Sequence, residues 1–310
     1  MLVSMVPDCA AVPPRAICIY ACSARINRVC SREAYQISLN ATKHLPQSTQ
    51  RSRPMPENSS TTPLAPQVHT CGDRRRLEFQ PGMIQSEMLL SRPDHLLLRY
   101  ARAMMCFTLF VPRPRHILMV GLGGGSLLKF CHRHLPEARI TVLELRADVI
   151  ALREQFMLPP DDARLRIIET DAVSYIRQHP GCADVLLLDG YDETGLPPAL
   201  GSARFYADCL RTLLPGGVLV ANLFSYDEHY PAMLARLMLT FRGVVCHFDG
   251  IAGNNRIVFA ARPDKLGAGR ALRVVRLVRW RRMCGLGFLN RWLPAWQLWR
   301  VRRRSDAGSD

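Results

Sequence analysis

The sequence predicts a doubly wound α/β fold, and three observations carry that expectation. Five short apolar runs recur between residues 116 and 223, and segments of helical spacing alternate with them. The runs are apolar on both faces, as strands of a parallel sheet covered by helices must be. Glycines or acidic residues stand where the runs stop, at the edge where open α/β sheets bind ligands.

Residues 1–70 stand apart from this pattern. They lack sustained periodicity and are rich in Pro, Ser and Thr from residue 45 to 66, so they bury too little apolar surface to offset chain entropy. They read as a disordered extension. Met55 opens a shorter reading frame, so residues 1–54 are either a tail or a start-site artefact. Residues 71–112 form the next unit. RRLEFQPGMIQSEMLL reads as two short strands around the Pro81-Gly82 turn, and PDHLLLRYARAMMCFTLF as a helix that Pro112 ends.

Residues 113–263 form the main domain. Strands are expected over 116–120, 140–145, 165–170, 185–189 and 218–223, with helices over 126–135, 147–158, 172–179 and 202–214. A further helix over 231–241, the strand VVCHF, the turn Gly253-Asn254-Asn255 and the strand RIVFAA place one antiparallel strand at the end of the sheet. Residues 264–310 are a basic, Arg- and Trp-rich helical tail. It reads either as a helix packing Leu272, Val275, Leu277 and Trp280 on the domain, or as an amphipathic surface for a membrane or another partner.

Charge and cysteine content narrow the function. The formal net charge is +15, but residues 1–70 carry seven Lys/Arg against three Asp/Glu, and residues 264–310 twelve against three. The domain between them is nearly balanced, whereas a nucleic-acid enzyme carries its basic stripe on the folded part. No nucleic-acid partner is expected. The eleven cysteines include no CxxC pair, and Cys9, Cys18, Cys22 and Cys30 have no histidine at zinc-finger spacing. His132 and His134 lie two apart on a helix and face different ways, so no metal is expected. No apolar run reaches the ~18–20 residues of a membrane span, and no secretory pattern opens the chain. The expected location is cytoplasmic.

The strand ends carry the chemistry. After the first strand comes Gly121-Leu122-Gly123-Gly124-Gly125-Ser126, in which glycines let the chain turn tightly and a ligand approach the backbone. Glu144 ends the second strand, where a carboxylate accepts both hydroxyls of a ribose. Asp171 and Ala172 end the third, either reading an adenine amino group or capping the next helix. Together these positions describe an adenosine pocket. Ser126-Leu127 stands where a Walker lysine would be, which argues against P-loop phosphate binding. The fourth strand ends in Asp189-Gly190-Tyr191-Asp192.

The order GxGxG, Glu, Asp-Ala and an apolar strand ending DxxD resembles the spermidine synthases, the polyamine aminopropyltransferases, and among them the shorter bacterial type. The resemblance runs from residue 77 to 262 and includes Phe205-Tyr206 and Pro215-Gly216-Gly217. It implies the Rossmann-like class I methyltransferase fold and decarboxylated S-adenosylmethionine as co-substrate. By position it implies Gly121, Gly123, Gly125, Glu144, Asp171 and Ala172 as the cofactor-binding set. It also implies Asp189 as the catalytic base and Asp192, with Tyr191, as the contacts of a putrescine-like amine. Aminopropyl transfer needs such a base, because a free amine of pKa about 10 is protonated at neutral pH. A homodimer is a further expectation.

The departures lie on the substrate side. Gly124 stands where the resembled family has an aspartate for the donor's ammonium, and Leu98, Arg99 and Tyr100 stand where it has Tyr-His-Glu. The DxxDPxGP run becomes Asp189-Gly190-Tyr191-Asp192-Glu193-Thr194-Gly195-Leu196. Two alternatives stay open: a methyltransferase using S-adenosylmethionine itself, which Met119 two residues before Gly121 disfavours, and a non-catalytic nucleotide-binding relative. Glu87, Asp94 and His95 are candidates for a lid or a solvated surface. Asn222, Tyr226, Asp227 and His229 follow the fifth strand and could line the pocket.

Overall fold

The computed structural model describes residues 64–192, 195–248, 253–263 and 269–306. The expectations for residues 1–63, Met55 and those four cysteines among them, and for Glu193 and Thr194, lie outside these.

Five parallel strands form the centre of the main sheet: β4 (His116–Val120), β5 (Arg139–Glu144), β6 (Leu165–Glu169), β7 (Ala183–Leu188) and β8 (Leu213–Phe224). With β9 (Val245–His247) and β10 (Asn255–Ala261), the order is β6-β5-β4-β7-β8-β10-β9, and β10 runs antiparallel to both neighbours. The single antiparallel strand expected from the sequence is therefore present. β8 also reaches back through Pro215-Gly216-Gly217, five residues earlier than the apolar run alone indicates.

The pleat sends alternate side chains to two cores. Ile117 and Met119 of β4 join Phe107, Phe130 and Phe259 on one face, while Leu118 and Val120 join Phe205, Tyr206 and Phe241 on the other. Each fully buried side chain of this size contributes ~1.5–3 kcal/mol. The covering helices are α2 (Ser126–His134), α3 (Ala147–Ile150), α4 (Ala172–Gln178), α5 (Ala203–Thr212) and α6 (Tyr230–Thr240), after α1 (Arg99–Met104) in the preceding segment.

Several expectations need correction. The N-terminal hairpin has a third strand: β1 (Gln67–Cys71) pairs antiparallel with β2 (Arg74–Glu78), which pairs with β3 (Ile84–Leu89). β1 begins inside the stretch whose composition reads as extension. The helix expected over 147–158 is α-helical only to Ile150, and turns follow to Met157, which is left-handed at φ 51°. Pro159 and Pro160 come next and disfavour helix before them. The helix after the hairpin breaks in two, α1 continuing as a 3-10 helix, Met105–Leu109.

The tail forms two helices, α7 (Arg270–Met283) and α8 (Leu293–Asp306), joined by a 3-10 segment. α7 buries Ala271, Val275 and Val278, whereas Leu277 and Trp280 are 46% and 51% exposed. The expected packing face is thus rotated, keeping Val275 and losing Leu277 and Trp280. No helix among the described residues is long and apolar enough to cross a membrane.

Glu87, Asp94 and His95 are each engaged in side-chain contacts rather than fully solvated: Glu87 is buried, and Asp94 and His95 are half-buried. Glu87 is buried in the hairpin, 2.8 Å from Arg76 Nε and 3.2 Å from Arg74. Asp94 accepts from His134 Nε2 at 3.1 Å, and His95 Nδ1 lies 3.3 Å from Arg302 on α8. His132 pairs instead with Asp162 at 3.0 Å, so the two helix histidines do diverge.

Candidate active site

The sheet order reverses at β4, from which the chain winds first to β5 and β6 and then, on the other side, to β7 and β8. Ligands of open α/β sheets bind in the crevice at this switch point, beyond the carboxyl ends of the strands. Gly121 leaves β4 there and Asp189 leaves β7, with Asp189 N donating to Val120 O at 3.0 Å. Glu144 and Asp171 extend the row on one side and Asn222, near the end of β8, on the other.

The glycine loop is tight. Gly121, Gly123 and Gly125 all have positive φ, and Gly121 N donates to Leu143 O at 2.9 Å. Glu144 stitches the loop to the next strand end: Oε2 accepts from Leu122 N at 2.8 Å and Oε1 from Arg146 N at 3.0 Å. Each carboxylate oxygen retains acceptor capacity beyond these bonds. Asp171 takes the capping geometry weighed from the sequence, accepting from Val173 N (3.1 Å), Ser174 N (3.0 Å) and Ser174 Oγ (2.8 Å). Burial pushes its carboxyl up, but the bonds from Ser174 and Val173 outweigh that and hold it below the ordinary value. Ala172 is buried beneath it. Replacing Asp171 with Ala removes the cap of a seven-residue helix and should cost ~0.5–2 kcal/mol, read as a lower urea midpoint.

Asp189 is the electrostatic centre. Its Oδ1 accepts from Asn222 Nδ2 at 2.8 Å, and Asn222 Oδ1 accepts in turn from Asn255 Nδ2 at 2.9 Å on β10. The Tyr100 hydroxyl of α1 lies beside the same carboxylate and favours its ionised form. Burial pushes Asp189 up to about 6, and the bonds from Asn222 and Tyr100 oppose the rise. Burial and the neighbouring Asp189 carboxylate both push the Tyr100 phenol up, so it stays a donor.

The other two DxxD residues are engaged locally. The Tyr191 hydroxyl donates to Asn222 O at 2.8 Å and its ring lies 4.3 Å from that of Phe224. Asp192 Oδ1 accepts from Gly195 N, and Asp192 N donates to Gly195 O, both at 3.0 Å. Of Asn222, Tyr226, Asp227 and His229, the structure brings only Asn222 to Asp189. Tyr226 is 64% exposed, and Asp227 caps the following turn through His229 N at 2.7 Å.

Three comparisons bear on what this geometry belongs to. The model of the spermine/spermidine synthase domain matches residues 97–235. A polyamine aminopropyltransferase of Chromobacterium violaceum is 38% identical over 192 residues, covering 62% of this chain and 74% of that protein. The chain belongs to the spermine/spermidine synthase family. A polyamine aminopropyltransferase of Neisseria meningitidis serogroup A is 36% identical over 191 residues, 61% of this chain and 73% of that one. The crystal structure of a probable spermidine synthase from Corynebacterium glutamicum matches at TM-score 0.56 and 22% identity, covering 63% of this chain and 76% of that one, which speaks to the fold alone.

Within this family framework, residue 124 has a physical reason to be glycine. A Cβ there would lie 2.6 Å from Ser86 Oγ and 2.7 Å from the Phe156 ring. Phe156 is held in turn by Lys129, whose Nζ donates to the Phe156 carbonyl at 2.7 Å and to Met88 Sδ at 3.1 Å. Burial pushes this lysine down to about 8. An aspartate there, where the resemblance expects one, would require Ser86 and the Phe156 ring to move aside. Arg99 is exposed, and its neighbour Tyr100 lies beside Asp189 instead. The sequence places Tyr100 and Asn255 in the chain without linking either to Asp189, and gives no sign of the Lys129–Phe156 contact. The one available signal was a lysine among apolar neighbours on the buried face of α2. Among the described residues no group of three His, Cys, Asp or Glu could hold a metal ion.

Proposed function

We propose that this protein transfers the aminopropyl group of decarboxylated S-adenosylmethionine to putrescine or a related amine. The observation that carries this reading is Asp189, a carboxyl raised to about 6 at the switch point of the sheet, held by Asn222 and Tyr100. The adenosine half of the co-substrate fits the chain: Glu144 is fixed against the loop with acceptor capacity left, and a Cβ at Gly123 would meet nothing nearer than 3.8 Å. Asp171, engaged in its cap, offers the pocket its edge, with Ala172 beneath.

The co-substrate supplies a sulfonium whose neighbouring carbon is open to displacement. The amine nitrogen forms a bond to that carbon, the carbon–sulfur bond breaks with its electron pair on sulfur, and methylthioadenosine leaves. Asp189 orients the amine and accepts its proton, which then passes to water. Asp192, fixed by its turn with Gly195, holds the far ammonium, and Tyr191 walls the pocket.

The test is to supply purified protein with each donor, decarboxylated and intact, and a panel of amines. Methylthioadenosine formed only with the decarboxylated donor and an amine is the expected result. S-adenosylhomocysteine from the intact donor would replace this reading with methyl transfer.

Tyr100→Phe gives a second check with a definite sign. The tyrosine bond favours ionised Asp189, so its loss raises the carboxyl further and moves the acid limb of kcat/KM to higher pH. The ratio of wild-type to variant rate should be about two- to tenfold near pH 6.5 and close toward one above pH 9, where both carboxyls are ionised.

A further inference from the structure

The α7–α8 tail carries an unusual surface on the far side of its packing face. Trp292, Trp296 and Trp299 follow one another at helical spacing and are 63%, 47% and 54% exposed. An arginine lies over each ring: Arg291 at 5.5 Å, Arg300 at 5.3 Å and Arg303 at 4.9 Å. Leu277, Met283, Phe288 and Leu289 add further exposed apolar surface nearby in the chain. From Arg270 to Asp306 the tail has eleven arginines and a single acidic residue.

A second observation adjoins this stripe. Arg113, Arg270, Arg300 and Arg304 line one cavity of about 500 Å³, together with Asp184. The Asp184 carboxylate is committed to the backbone N–H groups of Arg115 and His116 at 2.8 and 2.9 Å. Among the described residues none of the four guanidinium groups has a carboxylate partner. Arg300 belongs to both features, lining the cavity and covering Trp296.

We propose that this face seats the protein on an anionic phospholipid bilayer, the tryptophan stripe entering the interface and the arginine-lined cavity taking a lipid phosphate. Tryptophan suits that boundary because its ring is apolar and its N–H can stay hydrated. Arginines stacked on the rings answer the negative surface charge and satisfy phosphate bidentately. A nucleic acid would use the same cations and can stack on the tryptophan rings, but the exposed aliphatic side chains of Leu277, Met283 and Leu289 suit an acyl boundary rather than a base. A second copy of the chain would bring one arginine-rich face against another.

The chain's four tryptophans all lie in this tail, so tryptophan fluorescence, excited selectively over tyrosine, reports on it alone. The full chain is mixed with vesicles of phosphatidylcholine, alone or with phosphatidylglycerol, at low and high salt. Emission should shift to the blue and the protein co-sediment only with the anionic vesicles, weakening as salt rises. Joint replacement W292A, W296A and W299A should lower co-sedimentation by more than about tenfold, and R300Q with R304Q should lower it as well. Unchanged far-ultraviolet circular dichroism and methylthioadenosine formation establish that both variants fold. No association with anionic vesicles, equal association with neutral ones, full displacement by free glycerol phosphate, tighter binding of transfer RNA, or binding that survives the triple replacement would each overturn the proposal.

Discussion

Asp189→Asn should lower kcat for methylthioadenosine formation by about 10²- to 10⁴-fold while leaving the fold intact. Asparagine matches aspartate in shape and can still accept the Asn222 amide bond through its side-chain oxygen. What it cannot do is accept a proton. An ordinary carboxyl near pKa 4 is poorly matched to an amine near 10, and burial narrows that gap by raising Asp189 to about 6. With Asp189 as the proposed base, wild-type kcat/KM should rise with pH through an inflection near 6, because only its carboxylate form can accept a proton. Amine deprotonation then lifts the rate further toward pH 10. The variant should lose the inflection near 6 and keep the amine-dependent rise. Rate measurements from pH 5 to 10 on both proteins check this. A variant within tenfold of wild type and still showing that inflection would remove Asp189 from the chemistry.

The row of candidate residues was legible because strand ends advertise themselves. Val185 to Leu188 is apolar on both faces, so the acid that follows must sit where the buried strand meets solvent. The same reasoning places Gly121, Glu144 and Asp171 without any long-range information. Long-range contacts were not legible. Tyr100 lies in a short helix whose apolar spacing reads as core, and only the tertiary fold brings its hydroxyl to Asp189, 89 residues on. Asn255 reaches Asn222 because β10 turns back antiparallel along β8. β1 escaped notice for a different reason: its residues are mostly exposed and polar, and backbone pairing with β2 defines it rather than any apolar period. The tail face was misread because α7 alternates Arg with apolar residues on every side, so periodicity could not choose which apolar residues are buried.

Gly121→Ala should be the most damaging single-methyl change in the site, because two costs fall on one atom. The residue has φ of 92°, where a side chain strains the backbone by ~1–3 kcal/mol. Its Cβ would also lie 2.4 Å from the Asp189 carbonyl oxygen and 2.9 Å from the carbonyl carbon. Backbone of a central strand end cannot move aside like a flexible side chain, and overpacking of this kind costs ~1–3 kcal/mol more. The expected loss of ~2–6 kcal/mol should lower Tm by roughly 5–20 °C in a domain of this size. Gly181→Ala is the matching control. Its φ is 64°, and an added Cβ there meets nothing within 4 Å, so it carries the backbone strain alone. The difference between the two isolates the contact between the glycine loop and the end of β7. That contact sets the spacing between the glycine loop and Asp189, so Gly121→Ala should also depress kcat at temperatures well below its Tm, while Gly181→Ala should not. Equal melting points for the two variants would show that the loop and β7 can separate, and that their close approach is not what positions the base.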